Sequence, residues 1–159
     1  MMYEILILIG LTLLPFLELR ASIPYGMLAT DLAWQVVFIV CVLSNILLGP
    51  IVYFFLDRII HVFLKIRWIE KCWHKSVERT QRRIHKFMER FGWLGVALFI
   101  AVPLPGSGTY SGALGSYILG LGYRKFIIAN IIGVLIAGIL VTLIVMTGSQ
   151  AFSIFVKFL

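Results

Sequence analysis

The stretch LELRASIPYG, residues 17–26, sets a carboxylate (Glu18), a guanidinium (Arg20) and a proline (Pro24) inside an otherwise apolar run. Residues 3–16 before it are apolar apart from Glu4, and only a short leg to about Asp31 follows. Each charge at mid-bilayer costs about 2.5–3.5 kcal/mol on the insertion scale. Two in one apolar segment therefore need a reason. The reading is a broken helix that enters, turns around the charged stretch and returns, so that irregular backbone and charges line a protein-enclosed cavity. Four ordinary kinked spans are the competing arrangement.

A second interrupted stretch matches the first. Residues 92–102 and 109–122 are apolar legs on either side of PLPGSG, residues 103–108. As helices these legs reach about 16 and 21 Å, short of the ~30 Å hydrocarbon core. Pro103, Pro105, Gly106 and Gly108 disfavour a continuous helix and are the expected residues of a hairpin tip. Residues 32–56 and 126–156, by contrast, are uncharged and long enough to cross. Pro50 is expected to kink the first of them.

The composition agrees. Of 159 residues, 61% are hydrophobic and 13% charged, and the mean hydropathy is +1.02. Soluble domains carry about 25% charge, so a water-soluble enzyme is excluded. Ten of the fourteen Lys and Arg fall between Arg58 and Arg90; against four acids they leave +6 in residues 57–91 and +1 elsewhere. In a membrane protein such a segment marks the cytoplasmic side and is not expected to meet nucleic acid. The helix at 32–56 then runs inward. Lys86 and Arg90 before the second broken pair, and Arg124 and Lys125 after it, put both its ends inside, and both termini outside.

The expected fold is a single all-α integral membrane domain of two inverted repeats. Each is a re-entrant helical hairpin followed by a transmembrane helix, residues 1–56 and 92–149, joined by basic amphipathic helices at 57–91 and ending in a tail at 150–159. Interrupted segments in matching places of two such halves point to the binding site of a secondary transporter. Direct echo between the halves is faint: SNILLG (44–49) and ANIIG (129–133) do not sit at matching depths.

Within the linker, Trp73, Val77, Ile84, Met88 and Phe91 recur at helical spacing, while Lys71, Lys75, Arg79, Arg82, Arg83 and Lys86 fall mostly elsewhere. Such a helix lies on anionic lipid headgroups. Cys41 and Cys72 form no disulfide framework, and His61, His74 and His85 lack partners at ligand spacing. No metal, no cofactor and no enzyme activity is expected, since no nucleophile–base pair or phosphate loop occurs.

Candidate functional residues sit at the breaks. In an extended or turning segment, Glu18 and Arg20 share a side and pair, ahead of Pro24. Glu18 is then a proton carrier or half of a static ion pair. The second break offers Ser107, Thr109, Tyr110 and Ser111, with backbone amides suited to anions. Thr109 or Ser107 could cap the following helix. Gly112, Gly115, Gly120 and Gly122 read as close-packing positions, and glycine-lined faces suggest a homodimer. The expected function is a small secondary transporter or lipid translocase, taking a small-molecule or lipid-carrier substrate and coupled to protons through Glu18. The alternatives are a structural or lipid-organising membrane protein, and a scaffold recruiting partners through residues 58–91.

At ELRASIP, residues 18–24, and at PLPGSG the chain resembles the small multidrug export protein family of short prokaryotic membrane proteins, over about residues 10–148. It also looks like a distant relative of the DedA (SNARE-associated, VTT) superfamily. The resemblance implies opposed re-entrant hairpins, a prokaryotic plasma-membrane location and lipid translocation driven by proton-motive force. It makes Glu18 the acid of the first hairpin and Pro24 its proline. Ala101–Gly115 lacks the arginines that the second DedA hairpin carries, leaving Arg20 as the only intramembrane cation.

Overall fold

A computed structural model of the chain describes residues 2–15, 17–63, 92–102 and 107–157. Among them are six helices and no strand: α1 (Met2–Leu13), α2 (Glu18–Ala29), α3 (Trp34–Phe63), α4 (Gly92–Ala101), α5 (Thr109–Ile118) and α6 (Tyr123–Lys157). The order is short, short, long, and then the same again.

Length separates the two kinds. Trp34–Arg58 in α3 and Tyr123–Gly148 in α6 have mean hydropathies of 2.4 and 2.8 and are long and apolar enough to cross a membrane, as expected of residues 32–56 and 126–156. The 12 residues of α1 and of α2 reach only about 18 Å each, and α4 and α5 about 15 Å. None crosses alone.

The short helices fold back in pairs. Thr12 Oγ1 on α1 donates to Ser22 Oγ on α2 at 2.8 Å, and Gly26 packs so tightly on Leu8 that a Cβ there would lie 2.9 Å from Leu8 Cδ2. Positions rise along α1 as they fall along α2, so the pair is antiparallel. Likewise Gly112 on α5 meets Ile100 near the end of α4, and Gly92, Phe99, Gly112 and Leu119 of the two helices line one groove. The long helices are antiparallel too: Asn130 of α6 meets Ile46 and Gly49, and Gly138 meets Phe38 and Val42.

The first break is displaced from its expected place. Residues 17–26 were to be the turn; the chain instead turns at Leu14, Pro15 and Leu17, and α2 starts at Glu18 and carries Pro24 inside it. Pro15 is the reason, because the residue before a proline avoids the helical region and α1 stops at Leu13. Pro24 costs α2 one backbone bond, a loss that membrane helices tolerate when neighbours compensate. Pro50 likewise lies within an unbroken α3.

The core gathers where all the helices meet. Leu8, Ile23, Val37, Cys41, Phe126 and Val134 are buried in it. The long helices are also apolar outside, with Leu43, Leu47, Phe54, Leu143 and Ile144 exposed. A surface helix in water would be polar on that face.

The glycines divide by role. Gly112 is a close-packing position against Ile100, whereas nothing lies within 4 Å of a Cβ at Gly115. Gly120 and Gly122 have φ of 67° and 77° and serve the α5–α6 turn instead of packing. Leu121 N donates to Ser116 O and Gly120 N to Tyr117 O, the Schellman ending that favours glycine. Pro103, Pro105 and Gly106, and the linker with Lys71, Lys75, Arg79, Arg82, Arg83 and Lys86, lie outside the described residues.

Candidate functional site

Glu18 opens α2 in the left-handed region, at φ 43°. A non-glycine residue there stores strain that its surroundings must hold in place. The residue is only 7% exposed, and its carboxylate is held by the other half of the chain. Oε2 accepts from Thr109 N at 3.0 Å and Oε1 from Tyr110 N at 3.3 Å. These are the first two amides of α5, and a helix N-terminus has unpaired donors and a positive dipole end that suit an anion.

Asn45 on α3 completes the cluster. Its Nδ2 approaches Glu18 Oε2 at 3.5 Å, and its Oδ1 accepts from Thr109 Oγ1 at 2.7 Å. Gly108 is where the carboxylate comes closest, since a Cβ at that position would collide with Glu18. Neither Ser107 nor Thr109 caps α5 with its own side chain. Gly108 occupies the cap position, Thr109 is already the first helical residue, and the cap comes from Glu18 in α2.

Arg20 turns to different partners. Its Nη2 donates to Ser107 O at 2.5 Å, Ser107 Oγ at 2.9 Å and Val102 O at 3.3 Å. Val102 follows the last residue of α4, so the cation meets the negative end of that helix. The hydrogen bonds of Glu18 and Arg20 thus go to the second break and not to each other, while the two opposite charges still attract across the cavity they both line.

The tips interlock elsewhere as well. Tyr110 Oη donates to Leu13 O, the last carbonyl of α1, at 2.6 Å. Ser111 Oγ accepts from Gly108 N at 3.3 Å. Ser107 Oγ donates to Val102 O at 2.6 Å. A cavity of about 380 Å3 opens beside this meeting point. Its lining combines the polar residues Glu18, Arg20, Tyr110 and Ser111 with the apolar residues Pro15, Val52, Leu56 and Leu114.

Of the residues singled out in the sequence, Glu18, Arg20, Ser107, Gly108, Thr109, Tyr110 and Ser111 meet here. Pro24 does not; it sits half-buried within α2. Sequence reasoning missed Asn45 and Pro15. Asn45 and Asn130 are the only asparagines in the chain, one in each uncharged span, and both are buried. A lone carboxamide in an apolar span was the available signal. The antiparallel crossing of α3 and α6 also places Asn130 against Ile46 and Gly49, within a turn of Asn45, where the sequence echo had seemed out of depth.

No curated protein matches the chain. No solved structure does either. A family model described as "Putative small multi-drug export protein" matches residues 18–140, from the strained Glu18 through the second break and well into α6. The match covers most of the chain, with Glu18, Arg20, Asn45 and residues 107–111 inside it, and includes most of the two helices long and apolar enough to cross a membrane: the chain belongs to the small multi-drug export protein family.

Proposed function

We propose that the protein is a membrane transporter, not an enzyme, whose binding site is the cavity at the joined tips, with Glu18 as its working carboxylate. The observation that carries this reading is a buried acid on a cavity wall, held by helix-end amides that belong to the other half of the chain. Protonating Glu18 would convert an acceptor oxygen into a donor, facing amides that only donate. The grip of α2 on α5 would loosen, and a proton would thus be tied to movement of one half against the other. The substrate is a small molecule or a lipid carrier fitting a cavity lined by both polar and apolar side chains.

The arrangement in the membrane follows from the same reading. The two antiparallel short pairs are re-entrant hairpins dipping from opposite faces, in an inverted repeat distantly like the DedA superfamily. Residues 57–91 face the cytoplasm on anionic lipid and both termini face out, in a prokaryotic plasma membrane. Glycine-lined faces make a homodimer the natural assembly.

One observation favours the structural alternative: the contacts of Glu18 and Arg20 tie protein to protein. The deciding experiment is ethidium transport by proteoliposomes under an imposed pH gradient. Glu18→Gln is expected to abolish transport while the purified protein keeps its elution profile and unfolding temperature. Transport at the wild-type rate in that variant would overturn the role of Glu18. Loss of stability alone on replacing both charges with apolar residues would favour the structural alternative.

A further inference from the structure

Pro50 lies inside α3, where a proline has no N–H for the carbonyl four residues earlier, that of Ile46. In a membrane-spanning helix a carbonyl freed this way needs a donor from a neighbour. The donor comes from α6: Asn130 Nδ2 reaches Ile46 O at 3.2 Å. Gly49, next to the proline, makes room for it. A Cβ at Gly49 would collide with Asn130 Nδ2 and stand 2.7 Å from its Cγ. Asn130 is wholly buried and its Oδ1 has no partner among the described residues, so the side chain works through its donor. Gly49, Pro50 and Asn130 form one device spread over two helices.

Its position bears on the cavity. On one side of Pro50, Asn45 holds Glu18 and Thr109; on the other, Val52 and Leu56 wall the cavity. A bend at Pro50 shifts those apolar residues relative to the acid. We infer that Asn130 is the latch of a hinge at Gly49–Pro50, and that it sets the width of the cavity. While the latch holds Ile46 O, α3 keeps Val52 and Leu56 where they are. On release, that segment swings. Asn130 is a positioning residue acting through the α3 backbone. The purpose of the hinge rests on the transport reading, but its existence is tested without transport.

The experiment is amide hydrogen exchange on the full chain in lipid nanodiscs, comparing wild type, Asn130→Ala, Pro50→Ala and the double variant. Losing one ordinary hydrogen bond raises local opening about fivefold. Asn130→Ala should therefore speed exchange at residues 51–54 by about that factor, with residues 34–45 close to wild type. Pro50→Ala gives the helix back an N–H, so adding Asn130→Ala to it should leave exchange at 51–54 unchanged. An Asn130→Ala chain that folds only when Pro50 is also replaced supports the latch as well. An equal rise with and without Pro50, a uniform rise along α3 and α6, or failure to fold in both backgrounds overturns it. Unaltered transport in Glu18→Gln alongside the expected exchange pattern would sink the transport reading and leave the latch standing.

Discussion

At the scale of single residues, the site depends on a missing side chain as much as on those present. The Glu18 carboxylate occupies the space that a Cβ on residue 108 would fill. Gly108→Ala is therefore expected to push the acid off the amides of Thr109 and Tyr110. That should lower stability by about 1–3 kcal/mol, the cost of buried polar groups left unpaired, read as a lower unfolding temperature in detergent. Transport should fall with it. Glu18 and Arg20 were legible in the sequence because charge in an apolar run is rare. Their separation was not, since the pairing argument assumed an extended segment where the chain is helical from residue 18 onward. Asn45 escaped notice because a carboxamide carries no charge and breaks no helix, yet it joins the acid to α5.

Among the elements, the second broken pair was read almost to its observed bounds, because two prolines and two glycines leave a helix little choice. The first was misplaced because Pro15 and Pro24 compete for the break. A proline near the end of an apolar run stops the helix, while one in the middle is accommodated, and hydropathy cannot rank the two. Packing between elements follows the same close approach seen at Gly108. A Cβ at Gly133 of α6 would lie 2.7 Å from the Ala97 carbonyl oxygen of α4, and backbone cannot swing aside. Gly133→Ala should cost about 1–3 kcal/mol by overpacking. Gly115→Ala, with nothing within 4 Å, should be neutral or gain about 0.5–1 kcal/mol from helix propensity. Paired thermal melts of the two variants check the contrast.

For the whole molecule, the antiparallel α3 and α6 fix which ends share a side. Thr30, just before α3, and Gly148, late in α6, belong to one face; Arg58 and Arg124 belong to the other. With Cys41 and Cys72 replaced, single cysteines at positions 30 and 124 should react with an impermeant maleimide from opposite sides of sealed vesicles. Labelling of both from one side would refute the two crossings. The expectation of opposite courses for the two long helices came from charge: ten basic residues crowd between Arg58 and Arg90, and such crowding favours one side of a bilayer.

The link between Glu18 and Thr109 has a further consequence in time. The two lie 91 positions apart, and at ordinary translation speeds of about 5–20 residues per second the acid waits about 5–18 seconds for its amides to be synthesised. The N-terminal hairpin cannot finish folding as it leaves the ribosome. Until the second tip arrives, its acid must be sheltered at the water interface or by the insertion machinery.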